Sequence, residues 1–401
     1  MSVTATARPL REALGQLATM RDEMGVLSLY LDTGAEEGRR SGPSGGEIAL
    51  RNALSELRER TRAEGPRERW SDLEDGLKEL EPELADLVAP ALPGRGRALF
   101  AELSGHGLVT LSTRHHLGAA AVLARTPYLM PLLPTLEAEQ PYGAISVSDE
   151  GVRALDLAEG GAEEAGWEAF DIASGEWRRM KGPAGANPAR SLTSASQVDL
   201  FKRRLEAHRE RAVAEAVAPL VGLAEANEWT HVVLAGERAR TEPLARDWPD
   251  AGPPLVVADV VLPATRSPEE VRRTAEPLVE AARAAEHSAL VRRALDGALS
   301  SASAAAVGLG DVLTALGEGR VQHLLIDPAV RHAGSAAPDG RLFRAGVAPP
   351  GVAAEDLLEE PHLMERMLER ALATDAEVTA LGDPARDELA GHDGVAALLR
   401  W

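Results

Sequence analysis

The densest chemistry in this 401-residue chain is a run of cations. Arg178, Arg179, Lys181, Arg190, Lys202, Arg203, Arg204, Arg209 and Arg211 face only Asp199, Glu206 and Glu210, a local charge of +6 in a chain whose formal net charge is −20. The stretch also holds two of the three lysines, the third being Lys78. Guanidinium and ammonium groups at this density bind phosphates. A positive patch on a negative body can hold a polyanion locally while the remaining surface limits non-specific adhesion. The competing reading is a solvated helix face with no partner.

Other chemistries fare worse. The chain has no cysteine, which excludes disulfides, thiolate metal sites, iron–sulfur clusters and cysteine nucleophiles. His115 and His116 are adjacent, so their side chains diverge on a strand, and no carboxylate stands at helical ligand spacing to either. Gly94-Arg95-Gly96 lacks the later Gly, or the Gly-Lys-Ser/Thr ending, of a phosphate loop and reads as a plain turn. The expectation is a protein with no metal and no cofactor.

These residues need a scaffold. Hydrophobic residues make up 44% of the chain but aromatics only 3%, so its cores must rest on Ala, Leu and Val. There is no signal-peptide pattern and no run of 18 apolar residues, which predicts a soluble, cytoplasmic protein without a membrane span. In the first third, strand signals at 25–31, 97–103, 107–111 and 119–123 alternate with helical patterning at 9–20, 49–60 and 71–87. Pro131 and Pro134 then suggest a boundary near residue 137. Residues 142–148 and 152–157 read as a hairpin, extended by 167–180. The Gly- and Pro-rich segment Lys181 to Arg190 reads as an exposed loop. It leads into a long helix with a capping box at Ser196 and Asp199, a buried stripe of Phe201, Leu205, Ala212 and Ala216, and a break or kink at Pro219. Strands follow at 230–235 and 254–261. Ser267-Pro268-Glu269-Glu270 is a strong helix start, and helices and strands alternate from there to Trp401. The expected fold class is α/β in three domains, 1–137, 138–265 and 266–401. The middle domain is a mixed sheet with a long basic helix and the last a small α/β/α sandwich.

Two segments of the last domain carry a specific pattern. One is Gly310 to Ile326, a helix, an Ala315-Leu316-Gly317-Glu318-Gly319 turn and a Val321-Gln322-His323-Leu324-Leu325-Ile326 strand. The other is Gly394-Val395-Ala396-Ala397-Leu398-Leu399-Arg400-Trp401. In order and separation they resemble the last domain of the archaeal and eukaryotic peptide-chain release factors and Pelota. The resemblance covers residues 140–401. Over 1–137 only Leu27-Ser28-Leu29-Tyr30-Leu31-Asp32 is similar, to the bacterial branch of that superfamily.

The resemblance implies a factor that enters the ribosomal A site. In the family a middle-domain loop bears Gly-Gly-Gln, which positions the water that hydrolyses peptidyl-tRNA. The corresponding residues here are Ser194-Ala195-Ser196-Gln197, with no Gly-Gly in the loop. The first-domain Asn-Ile-Lys-Ser stop-codon element is also missing. Three readings stay open. The favoured one is a non-catalytic ribosome-binding factor acting in hibernation or on stalled ribosomes. The second is a peptidyl-tRNA hydrolase or rescue factor using Gln197 in a degenerate loop. The third is an RNA- or protein-binding scaffold. Under the first reading the RNA-binding residues are Arg178, Arg179, Lys181, Arg190, Lys202, Arg203, Arg204 and Arg209. The partners implied are the ribosome through its rRNA, tRNA, and an elongation-factor GTPase docking on the last domain.

Overall fold

The computed structural model describes residues 13, 16–17, 19–33, 45–64, 67–89, 94–105, 107–148, 151–158, 161–169, 190–258, 260, 266–300, 304–347 and 356–401, with backbone alone at 167–169, 190–202, 204–205 and 208. These residues form two compact units, Met1–Glu139 with Ala284–Trp401, and Gln140–Arg283.

The first part of unit 1 begins with strand β1 (Val26–Asp32), followed by helices α1 (Gly45–Glu64), α2 (Arg67–Glu79) and α3 (Glu81–Leu87). Strands β2 (Gly96–Glu102), β3 (Leu108–Thr113) and β4 (Ala120–Ala124) and helix α4 (Leu133–Ala138) complete it. The sheet is antiparallel in the order β3-β2-β1-β4. Strand β1 is central and covered on both faces, which is why it reads as a continuous apolar run. Its alternate residues Leu27, Leu29 and Leu31 pack with Leu54, Leu57, Leu73 and Leu87 of the three helices. Val26 and Tyr30 point the other way, into a core shared with Met130, Leu132 and Leu313. The segment read as one helix over 71–87 is two helices, because Pro82 sits in the first turn of α3, where a missing N–H does least harm.

Unit 2 contains strands β5 (Tyr142–Val147), β6 (Gly151–Ala158) and β7 (Gly161–Ala169), helix α5 (Arg190–Ala226), strand β8 (Val232–Gly236), helix α6 (Arg238–Asp247), strand β9 (Leu255–Ala258) and the start of helix α7 (Pro268–Leu299). Its sheet is mixed, in the order β7-β6-β5-β8-β9, with an antiparallel meander on one side and parallel β5-β8-β9 on the other. Strand β7 lies earlier than the 167–180 that the sequence predicts, and residues 170–180 fall outside the described residues. Its Glu163 and Glu164 mask the strand pattern. Glu164 has a structural task, forming an ion pair with the buried Arg153, which also donates to the Arg266 carbonyl at 2.7 Å. The capping box at the start of α7 is present: the Ser267 backbone N–H donates to Glu270 at 3.0 Å and the Glu270 N–H to the Ser267 hydroxyl at 3.4 Å.

The rest of unit 1 comprises residues 284–299 of α7 and strands β10 (Ala305–Val307), β11 (Val321–Ile326), β12 (Gly334–Ala336), β13 (Leu342–Arg344), β14 (Leu358–Glu360), β15 (Glu377–Ala380) and β16 (Val395–Leu399). Helices α8 (Leu309–Gly317), α9 (Leu363–Ala373) and α10 (Ala385–Glu388) alternate with them. The main sheet runs β10-β16-β11-β15, and β13-β12-β14 form a small separate sheet. One face of the main sheet packs on α8 and α9, and the other on Val291 and Ala294 of α7 and Ala385 of α10, giving a three-layer sandwich. The α/β fold class is therefore the one expected, with a mixed middle sheet beside a long helix and an α/β/α layer at the C-terminal end. The two motifs of this region meet as neighbours, since β11 and β16 pair antiparallel with Leu324 opposite Ala397 and Ile326 opposite Val395. Gly319, at φ 69°, makes the left-handed turn between α8 and β11.

A buried polar joint ties the two parts of unit 1 together. The Glu365 carboxylate, 4% exposed, accepts the backbone N–H groups of Leu129 at 2.9 Å and Met130 at 3.0 Å. Tyr30 donates its hydroxyl to the Tyr128 carbonyl, and Ser28 accepts the Tyr128 N–H at 2.9 Å. Burial pushes the Glu365 carboxyl up to about 8, against the pull of those two N–H donors.

Two expectations follow. A Cβ on Gly143 would lie 2.2 Å from Cε3 of Trp229, whose indole N–H donates to Asp156 at 2.7 Å. Gly143→Ala should therefore cost about 1–3 kcal/mol by denaturant titration, whereas Gly161→Ala, with no atom within 4 Å of the new methyl, should cost far less. The second concerns pH. Glu365 keeps its proton to about 8 in the fold, against a reference of 4.5. Its contribution is thus complete below the unfolded value and is lost as pH rises through about 8. Thermal melts taken between about pH 6 and about pH 9 should show wild type losing stability relative to Glu365→Gln. Parallel curves would contradict it.

Candidate functional site

Helix α5 is built from good helix formers and runs for 37 residues, about 55 Å at 1.5 Å per residue. Its C-terminal half is anchored. Val213, Ala216, Val217, Leu220 and Ala224 recur at helical spacing and bury against Ile145, Val152, Val232 and Leu234 of the mixed sheet. The helix continues through Pro219, where the sequence predicts a break or kink, because this part is held by packing along its whole length. It also begins earlier than expected, at Arg190 and not at Ser196. Residues 190–195 contain neither Gly nor Pro, so nothing after Pro188 stops the first turns. Ser196 and Asp199 are thus interior helical positions and do not mark the helix start, and their side chains lie outside the described residues.

The cationic residues fall in the N-terminal half of α5 and upstream of it. Arg203 and Arg211 are exposed and Arg209 is half-buried. The Arg211 Nε–H donates to the Ala207 carbonyl at 3.1 Å, which holds the guanidinium along the helix. Glu206 and Glu210 are exposed on the same turns and dilute the positive field. Arg190, Lys202 and Arg204 lie on the α5 backbone with side chains outside the described residues, as does Gln197, and Phe201 and Leu205 of the expected stripe share that position. Arg178, Arg179, Lys181 and the loop 181–189 lie outside the described residues altogether. The structure adds one cation that lies far along the chain from the run. Arg246 of α6 is exposed, held by Asp247 at 2.9 Å, and its guanidinium is further stabilised by Glu210 of α5. Proximity to the run is a tertiary fact with no signal in spacing.

The backbone of Gln197 is helical, seven residues into α5. A residue in that position has its backbone N–H directed into the helix ladder rather than towards a water. The turn at Gly94 to Gly96 is structural. The Thr33 backbone N–H donates to the Arg95 carbonyl at 2.7 Å, and a Cβ on Gly96 would lie 2.3 Å from the His115 carbonyl oxygen. His116 faces Asp32 at 3.5 Å, and Asp32 is engaged by the N–H groups of Leu117 and Gly118 at 2.8 and 3.0 Å. Among the described residues no group of three or more His, Asp or Glu is arranged to hold a metal ion, and no helix is long and apolar enough to cross a membrane.

Residues 127–283 match the family described as bacterial archaeo-eukaryotic release factor family 10, and the match ends at Arg283, where unit 2 also ends. This segment, less than half of the chain, is similar to that family. No curated protein matches the sequence. Among solved structures, an archaeal translation termination factor is 18% identical, with 99% of each chain covered and a TM-score of 0.26. Pelota of Archaeoglobus fulgidus is 17% identical over 76% of this chain and 79% of that one, at 0.33. Dom34 of S. cerevisiae is 8% identical over 79% and 76%, at 0.39. The similarity to the release factor family is confined to residues 127–283.

Because the Arg203 side chain is exposed, Arg203→Glu should leave the melting transition nearly unchanged, within about 0.5 kcal/mol. A destabilisation several times larger in a denaturant titration would show that Arg203 has a packing role.

Proposed function

We propose that the chain is a ribosome-binding translation factor that occupies the A site without catalysis, in hibernation or in the handling of stalled ribosomes. What carries this reading is Gln197: it lies on a helix, in Ser194-Ala195-Ser196-Gln197, where the superfamily has a Gly-Gly-Gln loop. Glycines permit positive φ and close approach of the backbone to a substrate, and neither Ala195 nor Ser196 does so. The match of residues 127–283 to a release factor family supports the translational setting. The cationic run from Arg178 to Arg211 supports binding to rRNA phosphates, with Arg178, Arg179, Lys181, Arg190, Lys202, Arg203, Arg204 and Arg209 as the proposed RNA-binding residues. We propose tRNA and an elongation-factor GTPase as further partners, a cytoplasmic location, and domains at 1–137, 138–265 and 266–401. In favour of those domains, no sheet of the described residues crosses residue 137 or 266.

Binding and hydrolysis separate in the test. Lys202→Glu with Arg203→Glu should weaken co-sedimentation with ribosomes and lower the salt slope by roughly one unit for each phosphate no longer neutralised. Gln197→Ala should leave binding intact and should not alter release of labelled peptide from stalled ribosomes. Rapid release by wild type that disappears in Gln197→Ala would replace this reading with the hydrolase.

A further inference from the structure

A groove of about 820 Å³ opens within unit 1, between the end of the main sheet and helix α7. Its floor is Leu398 and Leu399 of β16, and its wall is Arg292, Arg293 and Asp296 of α7. Two features of the sequence create the space. The register between β11 and β16 slips between Val321 and His323, so Gln322 is a bulged residue, exposed and turned to the groove. Bulges bend a strand and re-aim a side chain in this way. Small residues do the rest: Gly297 and Ala304 line the groove, and a Cβ on Gly297 would already stand 3.0 Å from the Ala305 Cβ.

The polar groups of the groove are unspent. Arg292, Asp296 and Gln322 are exposed, and among the described residues none makes a hydrogen bond or ion pair. Arg293 is also exposed, and its charge is felt by the imidazole of His323. Large apolar side chains stand at the same end of the sheet. Leu299, at the end of α7, is 88% exposed and Trp401 is 67% exposed. Trp401 is held there by the ladder, since the Arg400 N–H donates to the Arg320 carbonyl at 2.9 Å and the Arg320 guanidinium to the Trp401 carbonyl at 3.0 Å. Neither Leu299 nor Trp401 lines the groove itself, but an exposed Trp close in sequence to Arg400 and bonded to Arg320 is of the composition enriched in protein-binding hot spots.

We propose that this groove docks an acidic segment of a partner protein, which seats an apolar side chain on Leu398 and Leu399 and sets its carboxylates against Arg292 and Arg293. Charge decides the class of partner. The two adjacent arginines against the single Asp296 give the groove lining a net charge of +1 on a chain of net charge −20, which favours an anionic segment. Asp296 in the wall repels a continuous phosphate backbone, and the floor offers no ring on which a base could stack. An acidic peptide can place its carboxylates beside the arginines and an amide beside Asp296. The surface is distinct from the cationic run of α5, and the proposal does not rest on the ribosomal reading.

The test is fluorescence anisotropy with the full chain and two labelled probes, a short peptide of Glu and Leu and a matched peptide of Lys and Leu. The Glu/Leu peptide should bind saturably and the Lys/Leu peptide should not. Arg292→Glu with Arg293→Glu should weaken binding at least about tenfold while circular dichroism and ribosome co-sedimentation stay unchanged, both side chains being exposed. A photo-reactive leucine in the probe should cross-link to residues 289–299 or 398–401. Equal binding of the two peptides, no binding, indifference to the double variant, or cross-links elsewhere would overturn the proposal. Displacement of the Glu/Leu peptide by oligouridine that cross-links to the groove would also overturn it, in favour of RNA.

Discussion

The burial of one apolar stripe on α5 sets the geometry of the middle unit. Val213, Val217 and Leu220 are almost wholly withdrawn from water against Ile145, Val232 and Leu234. At about 25 cal/mol per Å² of apolar area, side chains of this size contribute roughly 1.5–3 kcal/mol each when fully buried. No surface ion pair on the helix approaches that. The stripe therefore fixes the direction of the helix, and the cations of its N-terminal half go where the stripe sends them. Trp229 closes the same core from the end of the helix, and Gly143 is the residue that admits its ring.

Unit 1 obeys a different constraint. Its two larger sheets contribute to one hydrophobic cluster, but the segment from Thr126 to Leu132 that enters this cluster carries backbone polar groups with it. Those groups need partners, since an unmet buried N–H costs about 1–3 kcal/mol. Ser28, Tyr30 and Glu365 supply them from two separate elements, β1 and α9. A carboxyl is an expensive residue to bury. Here it satisfies two donors at once, and the proton it retains to about 8 reduces the cost of its charge.

Charge is distributed as unevenly as apolar area. The body is strongly acidic, and cations gather on α5 and beside the end of the C-terminal sheet. On α5 the described turns alternate Arg203, Glu206, Glu210 and Arg211, so that surface is mixed rather than uniformly positive. A mixed face favours binding of phosphates at chosen positions over indiscriminate adhesion.

Much of this was legible in the sequence. The buried strands at 26–32, 142–147, 232–236 and 321–326 appear as short apolar runs, the capping box at Ser267 announces α7, and the two C-terminal motifs mark β11 and β16. These signals are local, and local periodicity and capping chemistry are what a chain carries in its own order of residues. A similarity to release factors was legible too, although the matching family covers the middle segment and not the C-terminal motifs that carry the resemblance in the sequence. The early start of α5, the strand hidden by Glu163 and Glu164, the pairing of Arg153 with Glu164, the joint at Glu365 and the approach of Arg246 to Glu210 were not. Each depends on a partner distant in sequence, or on packing that overrides a weak local preference. Desolvation and pairing energies arise only when the chain has closed on itself, so tertiary structure alone decided which charges are buried, which are satisfied and which are left to face a partner.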